Sequence, residues 1–169
     1  MTLSTSGTRK KMMKTIALIL LAFVLPGISI AENNLLEHAA IFAKAFTDNN
    51  TDQIAEQSHP SIVKALGGQK KYSSMIKKSF SDSNMRFLEM KFSSPTDIKK
   101  YKNVYLAILP YSATLTVDNE KLNVTSYYYA FAGHNKTKWY FTDCSNMDIR
   151  LLKSMVPDFD GTIKKPKEC

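Results

Sequence analysis

The stretch Val104–Val117, VYLAILPYSATLTV, decides the fold of this chain. Its odd positions, from Tyr105 through Val117, are apolar or aromatic, whereas its even positions begin apolar and end polar. This pattern predicts a long strand with one face buried throughout and the other face buried only at its start. Because Pro110 cannot donate a ladder hydrogen bond, we expect a bulge, a bend or a sheet edge there.

Further strands flank this stretch in the sequence. A turn at 118–120 leads into a partner strand at 122–132, and a second turn at 133–135 leads into a last strand at 138–143. An earlier strand at 85–92 lacks clean alternation. Consecutive strands joined by short turns predict an antiparallel meander of about four strands.

The residues before the strands have helical spacing instead. Leu35, Ala39, Phe42 and Phe46 mark one amphipathic helix of roughly 14 residues. Three more helices are expected: one capped by Asn50, one opened by His59-Pro60 and closed by Gly67-Gly68, and one marked by Tyr72, Ile76 and Phe80. We therefore predict an α+β fold in which N-terminal helices pack in the concave face of a strongly curved antiparallel sheet.

The first 31 residues have the pattern of a secretory leader. Four basic side chains between Arg9 and Lys14 precede an uncharged run whose apolar centre is about ten residues long. A membrane anchor needs about 20 apolar residues, so this run is too short to cross a bilayer. We expect cleavage between Ala31 and Glu32, and Met13 is an alternative true start. The expected location is the periplasm or the medium.

The rest of the chain is expected to form a single α+β domain at 32–143, followed by a helical turn and tail at 144–169. The net charge of the 169 residues is +8, and the four basic leader residues account for half of it. The remaining lysines form small clusters rather than one block. We therefore expect no nucleic-acid partner, and no membrane contact after cleavage.

The two cysteines, Cys144 and Cys169, form an even pair. In an oxidising compartment such a pair favours a disulfide, which here would fix the tail to the end of the last strand. Free thiols or an intermolecular bond are the alternative. The three histidines are dispersed and have no cysteine or carboxylate at ligand spacing, so we predict no metal site and no cofactor.

The order of these elements resembles that of the nuclear-transport-factor-two-like superfamily. The local features that carry the resemblance are HPSIV at 59–63, Gly67-Gly68, and KWYFTD at 138–143. The resemblance spans roughly Leu35–Asp143. It implies a cone, with the sheet wrapped around the first helix and an open mouth that serves as an enzyme pocket, a small-molecule site or neither. A cystatin-like sheet on one helix is the nearest alternative, but it does not need four helices before the strands.

Aromatic side chains on the strands and on the fourth helix are the candidates for lining this cone. They are Tyr72, Tyr105, Tyr111, Tyr129, Trp139 and Phe141. Apart from Glu89, the strand interiors hold no Asp, Glu or His, so the tyrosine and two aspartates of the isomerases with this fold cannot be placed. His59 and Asp143 remain as candidates for a catalytic base.

The run Tyr127-Tyr128-Tyr129 must point alternately into and out of the cone. The outer tyrosines either pair across strands or form a patch for a partner, and the resemblance implies a homodimer through the outer sheet face. We expect an exported, non-enzymatic protein that binds a small apolar or amphipathic ligand in the cone, or a protein partner on the sheet. The alternatives are a small hydrolase, isomerase or dehydratase, and an envelope or secretion-machinery component held by its leader.

Overall fold

A computed structural model describes residues 30–133, 135, 137–145, 147–167 and 169. Residues 1–29 of the predicted leader, which include the alternative start at Met13, and the turn residue His134 lie outside the described residues. The helices are α1 (Ile30–Thr47), α2 (Thr51–Gln57), α3 (Pro60–Ala65), α4 (Gln69–Asp82) and α5 (Ile149–Met155). The strands are β1 (Arg86–Phe92), β2 (Asp97–Lys100), β3 (Val104–Val117), β4 (Glu120–Gly133) and β5 (Trp139–Asp143).

The helix boundaries follow the predicted capping residues. Asn50 accepts a hydrogen bond from the backbone N–H of Gln53 at 3.1 Å and so caps α2. His59 caps α3, with Pro60 as the first helical residue. α1 begins at Ile30 and runs through the predicted cleavage site. Among the described residues, no helix has the length and apolar character that a membrane span requires.

The sheet has five strands, so the expected number of about four was one too low. Its order is β1-β3-β4-β5, and β2 also pairs with β3. β1 pairs with β3 as far as Tyr111, and β2 pairs with it from Ile108 onwards. Pro110 lies in the gap between these two ladders, which explains why the neighbouring strand is divided there. The ladder between β3 and β4 continues past Pro110 without a shift.

The turn between β3 and β4 sets which residues of β4 face the helices. Asp118 and Asn119 have φ values of 49° and 69°, as a two-residue type I′ turn requires. Val117 therefore pairs with Glu120, and along the same ladder Leu109 pairs with Tyr128. Since paired residues share a face, the odd positions of β3 lie beside the even positions of β4.

The predicted concave packing is confirmed by the surroundings of Phe42 on α1. Its ring lies 4.7 Å from Phe141 on β5 and 6.4 Å from Phe92 on β1, and these two strands are separated by β3 and β4. In a flat sheet, β1 and β5 would be about 14 Å apart, at about 4.8 Å for each spacing. The rings of Phe92 and Phe141 are only 6.0 Å apart, so the sheet curves strongly around α1.

The other face of the sheet is covered by the C-terminal segment. Leu106, Ile108, Tyr129 and Phe131 are buried there in a second core, together with side chains of α5 and the tail. Cys144 and Cys169 are joined by a disulfide, which confirms the predicted pairing. This convex face, where a homodimer contact was expected, is thus partly covered by the chain itself, and the dimer remains a prediction.

Candidate functional site

A cavity of about 280 Å³ lies at the mouth of the cone. α1 and α4 contribute Phe42, Phe46 and Tyr72 to its lining, and the ends of β4 and β5 contribute Tyr128, Phe141 and Asp143. The chain at Ser58 makes an isolated bridge to Phe141 on the outer edge of β5, beside the cavity. The site is therefore built by elements that are far apart in sequence.

The aromatic wall of this cavity is rigidly packed. Phe42 stacks on Phe141 with an interplanar angle of 13°, and Tyr128 meets Phe42 edge to face at 5.4 Å. Phe42, Phe141 and Tyr128 are all buried. A preformed aromatic lining of this kind suits a ligand with a ring or a short apolar chain.

Asp143 is the one carboxylate that lines the cavity among the described residues. Its Oδ1 accepts hydrogen bonds from the backbone N–H of Ser145 at 2.8 Å and from the Ser145 hydroxyl. Its Oδ2 has no hydrogen-bond partner in the described part of the chain. Oδ2 is therefore available to a donor or a cation on a ligand.

Two phenols lie near this carboxylate. Burial raises the pKa of Tyr128 well above its ordinary value, and repulsion from the phenolate form of Tyr111 and from the Asp143 carboxylate raises it further. Burial also raises the pKa of Tyr111, with a smaller contribution from Asp143. Both side chains stay protonated at neutral pH, so each can donate a hydrogen bond.

The six residues predicted to line the cone do not all lie at the cavity. Tyr72 and Phe141 line the cavity. Tyr105 and Tyr111 pack against the same core without lining the cavity. Trp139 is completely buried, and its Nε1 donates to Asn34 Oδ1 at 3.1 Å, so it has a structural role. The remaining residue, Tyr129, lies in the second core on the convex side of the sheet.

Tyr128 takes the place in the cone that was expected for Tyr129. The sequence contains a signal that could have identified it, because Asp118 and Asn119 are both residue types that tolerate the positive φ of a two-residue type I′ turn. Reading the turn as two residues rather than three fixes the pairing of the two strands. Tyr128, and not Tyr129, then falls opposite the apolar position Leu109.

His59 lies away from the cone mouth. Its ring contacts Phe131 at 4.7 Å and lies 6.4 Å from Tyr140, on the convex side of the sheet. Its Nδ1 accepts a hydrogen bond from the backbone N–H of Ser61 at 3.3 Å. Burial lowers the pKa of His59 to about 4, so the ring is neutral at physiological pH. Of the two candidate bases, only Asp143 lines the cavity.

Two other features of the surface bear on function. A groove of about 680 Å³ lies beside the turns at Asn49, Asn84 and Asn119. Its lining includes phenylalanine rings and the carboxylate of Asp48, but that carboxylate is already paired with Lys44. Within the described ranges, no group of three or more His, Cys, Asp or Glu side chains could hold a metal ion. The cone mouth is therefore the best candidate site that the predicted residues form.

No protein-family model matches the chain, and no curated protein matches its sequence. The chain is similar to an NTF-2-like protein of unknown function from Shewanella oneidensis, with a TM-score of 0.44 and 14% identity over 65% of this chain and 93% of that one. It is also similar to a domain of unknown function with a cystatin-like fold from Nostoc punctiforme, with a TM-score of 0.45 and 10% identity over 80% and 89% of the two chains.

A third similar structure is an LEH-like epoxide hydrolase from M. tuberculosis, with a TM-score of 0.35 and 15% identity over 75% of this chain and 98% of that one. The Shewanella protein is described as NTF-2-like, which is the superfamily that the sequence resembles. The fold described here, helices followed by an open five-stranded antiparallel sheet, rests on the strand register and on the packing of α1.

Proposed function

We propose that this protein is exported and binds a small amphipathic ligand at the mouth of the cone. The observation that supports this most strongly is a cavity of about 280 Å³ with an aromatic wall and one carboxylate. The ligand would place a ring or short apolar chain against Phe42 and Phe141. It would direct a hydrogen-bond donor or a cationic group toward the free Oδ2 of Asp143.

Export is supported by two separate features. The leader-like segment precedes Glu32, and the disulfide between Cys144 and Cys169 is of a kind that persists in oxidising compartments. N-terminal sequencing of the protein recovered from the periplasm or the medium tests this part of the proposal. A sequence that starts at Glu32 supports it, whereas an intact leader supports the alternative of an anchored envelope component.

Ligand binding is tested in two stages. Native mass spectrometry of the purified protein is expected to reveal a co-purifying small molecule. The neutral fluorescent probe N-phenyl-1-naphthylamine then serves as a defined ligand, because it offers aromatic rings and a weak N–H donor. We expect saturable binding of one probe molecule per chain, seen as an increase in probe fluorescence.

Leu66→Trp is the variant that tests the location of this site. Leu66 lines the cavity at the end of α3, so an indole there fills the space that the probe needs. We expect at least tenfold weaker probe binding. Met75→Trp is the matched control, since Met75 is 44% exposed on α4 and does not line the cavity. Equal binding by the wild type and Leu66→Trp would contradict the proposal.

A second candidate function, a pocket enzyme, has one observation in its favour. Asp143 and the protonated phenol of Tyr128 line the same cavity, and a carboxylate base beside a hydrogen-bond donor suits acid–base chemistry. If the co-purifying molecule is converted over time, Asp143→Asn should stop the conversion while the molecule still binds. A molecule that stays unchanged favours the binding protein.

A further inference from the structure

A second cavity, of about 430 Å³, lies on the convex side of the sheet beneath the C-terminal segment. Tyr129 of β4 contributes one wall. The chain just before α5, α5 itself and the tail contribute the apolar side chains of Met147, Leu152, Phe159 and Ile163. Cavities between about 300 and 1,000 Å³ commonly hold small molecules. This space therefore has the size and the apolar lining of a ligand site, and the sheet separates it from the cone mouth.

The Tyr129 hydroxyl supports the idea that this cavity binds a ligand. The residue as a whole is only 2% exposed, but its hydroxyl oxygen stays accessible to solvent and has no hydrogen-bond partner among the described residues. A hydroxyl in this position is free to bond to a molecule that enters the cavity. Because burial raises its pKa, the phenol is protonated at neutral pH and offers a donor to the cavity.

Of the charged side chains that line the cavity, the carboxylate is paired whereas the lysine ammonium group has no carboxylate partner among the described residues. Asp148 lines the cavity, but its Oδ1 accepts from the backbone N–H of Leu151 at 2.8 Å, and its Oδ2 accepts from Arg150 at 3.1 Å. Lys165, an exposed residue, also lines it, and its one hydrogen bond to the described residues is long, 3.5 Å from Nζ to the carbonyl oxygen of Met147. In the described part of the chain, no carboxylate pairs with Lys165.

We propose that this second cavity binds an alkyl carboxylate, in the manner of a medium-chain fatty acid. The carboxylate accepts hydrogen bonds from Lys165, with the Tyr129 hydroxyl as a second donor. The alkyl chain lies among the apolar side chains of α5 and the tail. This site is independent of the ligand proposed for the cone mouth, since it lies on the other face of the sheet and recognises the opposite charge.

Sodium decanoate is the probe for this proposal, used with the full purified protein in isothermal titration calorimetry at pH 7.5 and below its micellar concentration. We expect one decanoate bound per chain. Lys165→Glu should weaken binding at least tenfold, because it replaces the attracting charge with a repelling one. Lys164→Glu is the matched control: it makes the same change of charge one residue away, at a side chain that does not line the cavity, and should leave binding within twofold.

Tyr129→Phe keeps the ring and removes only the hydroxyl, so we expect a two- to tenfold weaker binding of decanoate. Decanol, which has the same chain without a charge, should bind at least tenfold more weakly than decanoate. Circular dichroism spectra like that of the wild type show that each variant is folded. Unchanged decanoate binding by Lys165→Glu, or no binding by the wild type, would overturn the proposal.

The Leu66→Trp variant separates this site from the cone mouth. It fills the concave cavity and should leave decanoate binding unchanged while it weakens the binding of N-phenyl-1-naphthylamine. Loss of decanoate binding in Leu66→Trp would place the fatty acid in the cone and overturn the second site. The two proposals can therefore fail independently.

Discussion

The two faces of the sheet are covered in different ways. The concave face packs on α1, an 18-residue helix whose Phe42 contacts rings from both edges of the sheet. The convex face is covered by the seven-residue helix α5 and an irregular tail, which the disulfide joins to the end of β5. Tyr128 and Tyr129 are neighbours on β4, yet each lines a cavity on a different face. A single strand thus contributes to two cavities, for which we propose ligands of opposite charge.

The stability of the concave face should depend most on individual side chains. Phe42→Ala removes the ring at the centre of the aromatic packing, where Phe42 is 2% exposed, and we expect a loss of about 3–5 kcal/mol in the free energy of unfolding. Chemical denaturation measures this loss. The control is Ile41→Ala, the adjacent residue on α1, which is 41% exposed and should cost less than about 1 kcal/mol. Equal losses would show that α1 does not pack as described.

The local stability of the segment that covers the convex face should depend on its disulfide instead. The bond closes a segment with a sequence separation of 25 residues, and loop-closure entropy assigns about 3.5 kcal/mol to such a closure. We expect the double variant Cys144→Ser and Cys169→Ser to exchange its α5 amides much faster than the wild type. Exchange in α1 should change less. Hydrogen exchange read by mass spectrometry makes the comparison, with reduced wild-type protein as a second test of the same bond.

Faster exchange in α1 than in α5 after removal of the disulfide would reverse this expected difference between the faces. It would mean that the tail stabilises the cone as a whole and is not a separate cover. Such a result would also require a revised explanation for the second cavity, which the tail lines in part.

His59 makes the stability of the convex side depend on pH. Its folded pKa of about 4 lies below its ordinary value of 6.5, so between these pH values the unfolded chain binds a proton that the folded chain does not. The free energy of unfolding should therefore fall as the pH falls from 6.5 toward 4, by up to about 3 kcal/mol. Above pH 6.5 this contribution is fully present.

His59→Asn tests this assignment, since asparagine keeps a capping side chain for α3 and does not titrate in this range. Denaturation curves from pH 4 to pH 8 should show a smaller loss of stability at low pH in the variant than in the wild type. If both proteins lose stability equally on acidification, another group is responsible.

Substitutions in the turn between β3 and β4, which sets the faces on which Tyr128 and Tyr129 lie, should have the smallest effect on stability. Asn119 has a φ of 69°, a conformation that asparagine and glycine adopt more readily than alanine. Asn119→Ala should lower the free energy of unfolding by about 1 kcal/mol, whereas Asn119→Gly should leave it unchanged or raise it slightly. Thermal melting of the two variants makes the test, and equal melting temperatures would contradict the turn geometry.

Much of the architecture could be predicted because it depends on local patterns. The alternation in Val104–Val117, the helical spacing of Leu35 to Phe46, and the capping residues Asn50 and His59 each carry their structure in short stretches of sequence. The break between β1 and β2 was not predicted. It lies opposite Pro110 in the sheet, but its residues, 93–96, are 14 or more residues away from Pro110 along the chain. The prediction of a cysteine pair needed only composition and compartment.

The site was harder to predict than the fold because it depends on strand register and on tertiary packing. An error of one residue in the length of the 118–119 turn moves Tyr129 from one face to the other. The burial of Trp139 against Asn34, and the packing of His59 against Phe131, join residues that are far apart in sequence. No local pattern in the chain contains those contacts.

The central claim is that Tyr128 faces a ligand cavity in the cone whereas Tyr129 faces away from it. The most direct test is a nuclear Overhauser measurement on the wild-type protein with ring-labelled tyrosine and bound N-phenyl-1-naphthylamine, with Tyr128→Phe and Tyr129→Phe used to assign the signals. We predict contacts between the probe and the Tyr128 ring, and none between the probe and the Tyr129 ring. Contacts to Tyr129 without contacts to Tyr128 would contradict the account.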